Sequence, residues 1–264
     1  MLVGMDRDSI ERLVARSVEV GVDYFDVAPA YGDGEAENQL GAALASRRKD
    51  VFLAGKTLQR SAAGIRLELG QSLRRLRTDY LDLYQFHAVN KAADAEEILA
   101  PRGAAEYLLH AREQGLIRYI GFSSHSVPIS LALLDRFPFD SVLFPVNFVC
   151  YARGNFGPQV LAKARSAGTA CVAIKSLALT TLRRSEPRRY ANCWYRPIDD
   201  PELALRAMRF TLSEGVTALL PPADERLYLM AVELARTATP LMDEERRLLI
   251  AQARGLKPIL STGK

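Results

Sequence analysis

Only three of the 264 residues are cysteine, Cys150, Cys171 and Cys193, and they stand far apart. No close pair offers a zinc or redox site, and an odd count argues against a disulfide framework. A reducing, cytoplasmic setting is the default expectation. Long apolar runs are missing too, so no segment is expected to span a membrane. The opening residues MLVGMDRDSIERL turn acidic and helical too soon for a signal peptide. Charge of one sign is nowhere concentrated. The net charge of +4 suits an anionic ligand, but the basic residues form no nucleic-acid motif, and no nucleic-acid partner is expected. Linkers, low-complexity tracts and internal repeats are absent as well, which leaves one domain over residues 1–264 as the expectation.

What the chain does have is alternation. Short runs rich in β-branched and aromatic residues recur, each followed by a longer segment of helical periodicity. Strands are expected at Tyr24–Val27, Val51–Gly55, Leu81–Phe86, Tyr119–Phe122, Ser141–Val146, Ala170–Ile174 and Val216–Leu220. Between the second and third, Ile65, Leu69, Leu73 and Leu76 make one apolar stripe, the mark of an amphipathic helix. Gly21, Gly115, Gly168 and Gly215 each stand between a helix and the next strand, where a left-handed cap is expected. The alternation implies a parallel α/β sheet. An open dinucleotide-binding sheet would carry a glycine-rich turn after its first strand. The turn here reads APAYGDGEAEN, with a tyrosine where a small residue is wanted. A (β/α)8 barrel of the TIM type is therefore favoured. The stretch 178–201, with Arg183, Arg184, Arg188 and Arg189, lacks periodicity and reads as a long loop, either simply solvated or closing over an anion.

In such a barrel, reactive side chains come from the C-terminal ends of several strands. Asp26 ends the first visible strand and Tyr31 follows it; Lys56 and His87 end the next two. Singly, each has a plain structural reading as a cap, a packing aromatic, a surface lysine or a hydrogen-bonded core histidine. Together, at three successive strand ends, they suit one chemistry. A phenol titrates near pH 10, and a neighbouring ammonium stabilises its phenolate. A carboxylate would keep a buried ammonium charged. A histidine can donate to a substrate oxygen that gains charge. That is equipment for protonating an oxygen at a carbonyl carbon that receives hydride, and the hydride needs a cofactor.

The segments GVDYFDVAPAYGDGEAENQLGAAL, LRRLRTDYLDLYQFH and LIRYIGFSSHS closely resemble those of the aldo-keto reductase family, and the likeness runs more weakly to about Leu220. The resemblance places the family's tetrad on Asp26, Tyr31, Lys56 and His87. It implies a (β/α) barrel, NADP or NAD as cofactor, and a small carbonyl or alcohol substrate such as an aldehyde, ketone, sugar or steroid. It also assigns cofactor contacts to Ser123, Ser124, Lys175, Ser176, Leu177 and Arg226.

Three features depart from the family pattern. The chain opens almost directly on its first helix, so the first of eight barrel strands is missing or reduced, with Met1–Met5 as its tail or the following loop. The family's nicotinamide-binding asparagine, glutamine and stacking aromatic align with Ser124, Leu143 and Lys175. Lys175 could attract the pyrophosphate, sit beside the ring, or simply line a polar mouth. The run LLPPADERLY offers one basic residue, Arg226, beside Asp224 and Glu225; an acid suits a ribose hydroxyl and repels a 2′-phosphate, leaving NAD and NADP both open. His110 falls in a helix; His125 lies in a loop, either as an ordinary polar residue or against substrate. Trp194 and Tyr195 either wall the substrate site or pin their loop. The function expected is carbonyl–alcohol oxidoreduction. The alternative is a nicotinamide-binding regulatory or accessory subunit, and oligomer formation is open.

Overall fold

The computed structural model of the chain describes residues 1–183 and 185–262; Arg184 lies outside them. By internal contacts the described chain forms two compact units: Met1–Ser123 with Phe139–Ser141, and Ser124–Pro138 with Val142 onward.

The first unit runs α1 (Arg7–Glu19), β1 (Tyr24–Asp26), α2 (Glu35–Leu44), β2 (Phe52–Thr57), α3 (Ala62–Leu76), β3 (Leu81–Phe86), α4 (Ala92–Ile98), α5 (Ala104–Glu113) and β4 (Ile117–Ser123). The four strands are neighbours in that order and pair in parallel, with Asp26 opposite Ala54, Lys56 opposite Gln85 and Phe86 opposite Phe122. Parallel pairing requires the long crossovers that the helices provide. On α3 the stripe predicted from spacing is the buried face: Ile65, Leu69 and Leu76 are inside with Ser72, and Leu67 is exposed. Ser61 starts this helix by accepting a hydrogen bond from the Gly64 N–H at 3.2 Å. Every residue of β3 is buried, as a strand covered on both faces must be. Met1–Asp6 hold no strand; the Met5 N–H bonds back to the Leu2 carbonyl at 3.1 Å, so this segment is a turn before α1.

The second unit contains α6 (Val127–Arg136), β5 (Ser141–Pro145, which starts at the boundary), α7 (Phe148–Gly154), α8 (Pro158–Ala167), β6 (Ala170–Ile174), β7 (Ala178–Thr181), β8 (Tyr195–Pro197), α9 (Pro201–Ser213), β9 (Ala218–Leu219), α10 (Glu225–Ala235) and α11 (Asp243–Gln252). β5, β6 and β9 are sheet neighbours in that order. Gly168 closes α8 with φ 69°, a left-handed cap that a side chain would strain, and the other three expected cap glycines also have positive φ.

The sequence reading needs correction in four places. The stretch taken as a long loop contains the antiparallel pair β7–β8, with Ala178 opposite Pro197 and Thr181 opposite Tyr195. Its strands are too short and irregular for a periodic signature. A local apolar cluster of Ala178, Tyr190, Cys193, Tyr195 and Leu227 holds them. Lys56 lies inside β2 and Thr57 ends it, because the pairing with β3 continues to Thr57 opposite Phe86. The last parallel strand is Ala218–Leu219, shorter than expected. Leu73, counted in the apolar stripe, is only half-buried.

Candidate active site

Asp26, Tyr31, Lys56 and His87 all belong to the first unit, and the structure brings them together. Asp26 is the last residue of β1 and Lys56 the penultimate residue of β2. Their adjacent strands put the Lys56 Nζ on Asp26 Oδ1 as an ion pair. Only 1% of the Lys56 side chain is exposed. Burial pulls its pKa down, but the charges and hydrogen bonds of Asp26 and Tyr31 act the other way and together raise it above the usual lysine value. Lys56 is held as an ammonium.

The same ammonium donates to the Tyr31 hydroxyl at 3.4 Å. Tyr31 sits in the turn after β1, folded back by its N–H on the Ala28 carbonyl at 3.0 Å, and Gly32 and Gly34 next to it take left-handed backbone. The tyrosine is 40% exposed. A buried ion pair thus reaches the surface through one phenol. The His87 ring stands edge-on to the Tyr31 ring, with centroids 5.8 Å apart at 87°. The His87 backbone is fixed on both sides: its N–H bonds to the Thr57 carbonyl at 2.8 Å, and its carbonyl accepts from Arg60 Nη2 at 2.7 Å. Arg60 in turn pairs with Asp94 at 3.6 Å.

A fifth residue belongs to this group. Gln85, fully buried in β3, donates from Nε2 to Asp26 Oδ2 at 3.1 Å. Each Asp26 oxygen therefore has its own donor. Sequence reasoning passed over Gln85; the available signal was an uncharged amide inside a run otherwise built for burial.

The chain belongs to the aldo/keto reductase family. The family's model matches residues 3–196. Among curated relatives, the aldo-keto reductase YhdN of Bacillus subtilis is 37% identical over 134 residues, 46% of this chain and 38% of the relative. Methylglyoxal reductase YeaE of Escherichia coli is 39% identical over 109 residues, 40% of this chain and 36% of the relative. These matches span well under half the length of either relative. The solved holo form of aldo-keto reductase AKR11C1 from Bacillus halodurans is 25% identical, with a TM-score of 0.74 over 99% of this chain and 92% of that one. The α/β fold class expected from the alternation, a (β/α) barrel, is that of the family.

The residues aligned with the aldo-keto reductase cofactor pocket fall in different surroundings. Ser123 ends β4 in the first unit, where its Oγ accepts from the Ala88 N–H at 2.8 Å and its carbonyl from the Val89 N–H at 2.8 Å. The other five are in the second unit. Ser124 is buried, and its Oγ accepts from the Ser126 N–H at 3.0 Å. Lys175 follows β6, with Nζ 5.1 Å from the Tyr195 ring centroid and 5.8 Å from that of Trp194. Next to it the Ser176 Oγ is buried with no hydrogen-bond partner among the described residues. Leu177 is fully buried, and its carbonyl accepts from the Ile198 N–H at 2.8 Å. Arg226 is exposed, holds Asp224 at 3.4 Å and lies 4.6 Å over the Tyr190 ring. Its positive charge is already matched.

His125 is also in this unit. Burial, and then the charge of Lys175, lower its pKa to about 4, so the ring is neutral at pH 7. Of Trp194 and Tyr195, Tyr195 is buried in the hairpin cluster and Trp194 is 43% exposed. His110 is on the surface of α5 beside Glu113 at 3.3 Å.

Proposed function

We propose that the protein is an NAD(P)H-dependent oxidoreductase interconverting an aldehyde or ketone with its alcohol. The observation that carries this reading is the linked set Gln85–Asp26–Lys56–Tyr31, which ends in an accessible phenol beside His87. Tyr31 gives the proton to the substrate oxygen in reduction and removes it in oxidation. Lys56 sits against the phenolic oxygen and favours phenolate after the proton leaves. Asp26 keeps Lys56 charged in a site from which water is excluded. His87 orients the carbonyl oxygen and stabilises the charge that grows on it.

The nicotinamide cofactor, NADP or NAD, supplies or accepts the hydride when bound. Two features suit its phosphates: the Lys175 ammonium has no carboxylate among its electrostatic partners, and the buried Ser176 hydroxyl has none of its own. Ser123, Ser124, the Leu177 backbone and Arg226 are the further contacts that the family resemblance would assign to it. The methylglyoxal reductase among the relatives makes a small aldehyde the first substrate class to test.

The deciding experiment pairs turnover with cofactor titration. Tyr31→Phe is expected to lower kcat by about 10²–10⁴-fold with NADPH and NADH affinity retained. Cofactor binding without turnover by the unaltered protein across an aldehyde and ketone panel would instead establish the accessory-subunit reading. That reading is favoured by one observation, a lysine where the family stacks an aromatic ring on the nicotinamide.

A further inference from the structure

Charged side chains are rarely buried without an opposite charge. Lys175 departs from that rule. The residue directly follows β6 and takes φ 66°, a left-handed backbone that a side chain disfavours. Such strained positions cluster where a side chain must be aimed. The lysine is mostly buried. No carboxylate is among the groups that act on it; the Cys193 thiol, 1% exposed, favours its ammonium, and the buried His125 ring feels its charge. Its ammonium end stands against two ring faces, Tyr195 at 5.1 Å and Trp194 at 5.8 Å.

These surroundings select a chemistry. Desolvation disfavours the ammonium and holds the amine below the usual lysine range, while Cys193 opposes this more weakly. A free amine is the nucleophilic form. Of these two rings, Trp194 is 43% exposed and Tyr195 is buried.

We propose that Lys175 is a nucleophilic amine that condenses with small aldehydes to form an imine. The nitrogen lone pair adds to the carbonyl carbon, and the carbonyl oxygen takes up a proton as the nitrogen loses one. The resulting carbinolamine releases water and leaves a C=N bond. No oxidant or reductant takes part. The protonated imine is again a cation, so the ring faces that receive the ammonium receive the product as well. This activity belongs to the cofactor-free protein, in which Lys175 meets no phosphate, and it does not involve Tyr31.

The test uses the full chain without cofactor, propanal as the probe and sodium cyanoborohydride to trap the imine as a propylamine at pH 7. Peptide mapping over time reads each lysine separately. Each pKa unit of depression multiplies the free-amine fraction about tenfold. The Lys175 peptide is therefore expected to gain its propyl group faster than those of the exposed Lys49, Lys91 and Lys257. Lys175→Arg should remove the fast phase and leave the slow one. Equal rates at all four lysines in the unaltered protein overturn the proposal, whatever the variant does. A fast phase that survives in Lys175→Arg overturns it too. Because no cofactor or turnover enters the measurement, failure of the reductase reading cannot be mistaken for failure here.

Discussion

The protein places one lysine near a strand end in each of its two units and treats the two oppositely. Lys56, in the first unit, is completely buried yet held charged, because Asp26 sits on it and Gln85 holds Asp26. Lys175, in the second, is less buried and has rings and a thiol for company. The pKa moves up in one and down in the other. Burial alone therefore does not decide what a lysine does; the partner does. The pH consequences have opposite signs. Lys56 contributes stability that is full below the unfolded value of about 10.4 and is lost as pH rises through its raised folded value. Lys175 carries a penalty that is full at low pH and relieved as pH climbs from its depressed folded value to about 10.4.

The largest effect should come from breaking the compensated lysine. Lys56→Met leaves the Asp26 carboxylate buried with only Gln85 to hold it, and should cost about 3–5 kcal/mol of stability. Urea denaturation measures it. The double variant Asp26→Asn with Lys56→Met should recover much of the loss, because no buried charge remains. A double variant as unstable as the single one would mean that packing, not charge pairing, sets the cost.

The second effect lies beside the uncompensated lysine. His125 has a folded pKa of about 4 against 6.5 for the ordinary residue. The unfolded chain therefore binds a proton that the folded chain refuses, and stability falls as pH drops from 6.5 towards 4. The full difference is about 3 kcal/mol. Comparing urea midpoints at pH 7 and pH 4.5 in the unaltered protein and His125→Gln isolates it; the variant should lose less on acidification.

A smaller effect sharpens the first unit. Gln85→Leu takes the donor from Asp26 Oδ2 and should cost about 1–3 kcal/mol. As a positioning residue it should also lower kcat while leaving KM nearly unchanged, and Gln85→Glu should displace the pH profile, since a second acid beside Asp26 competes for Lys56. A stability loss with kcat and pH profile unmoved would make Gln85 purely structural.

This contrast also marks what was legible in the sequence. Strands Leu81–Phe86 and Ala170–Ile174 were readable to the residue, because each is a short, mostly apolar run after a helical segment. Asp26, Tyr31, Lys56 and His87 could be gathered because each stands at or just past a strand end, a local feature that topology turns into proximity. Gln85 could not, since its role depends on lying opposite Lys56 in a register set by residues far apart in the chain. The β7–β8 pair escaped for the same reason: Tyr190, Cys193 and Leu227 stabilise it from outside its strands. Lys175 was visible as a departure from the family pattern, but its ring neighbours come from the hairpin that the sequence did not disclose.

The smallest effect should have the opposite sign to the largest. Lys175→Met exchanges an uncompensated, mostly buried cation for an apolar chain of similar length that still packs on Trp194 and Tyr195. Removing the desolvation cost should stabilise the protein by about 1 kcal/mol at pH 7. The gain should shrink as pH rises towards 10, because the penalty on the unaltered lysine is relieved as pH approaches the unfolded value of about 10.4. Loss of the Lys175 charge also removes one of the two causes that depress His125, so the acid-side fall in stability should become shallower in the variant. One urea series from pH 4.5 to 10 on the two proteins reads both ends. A destabilised variant at pH 7 would mean that the cation–ring contacts outweigh desolvation, and the two lysines would then differ in the kind of partner and not in whether they have one.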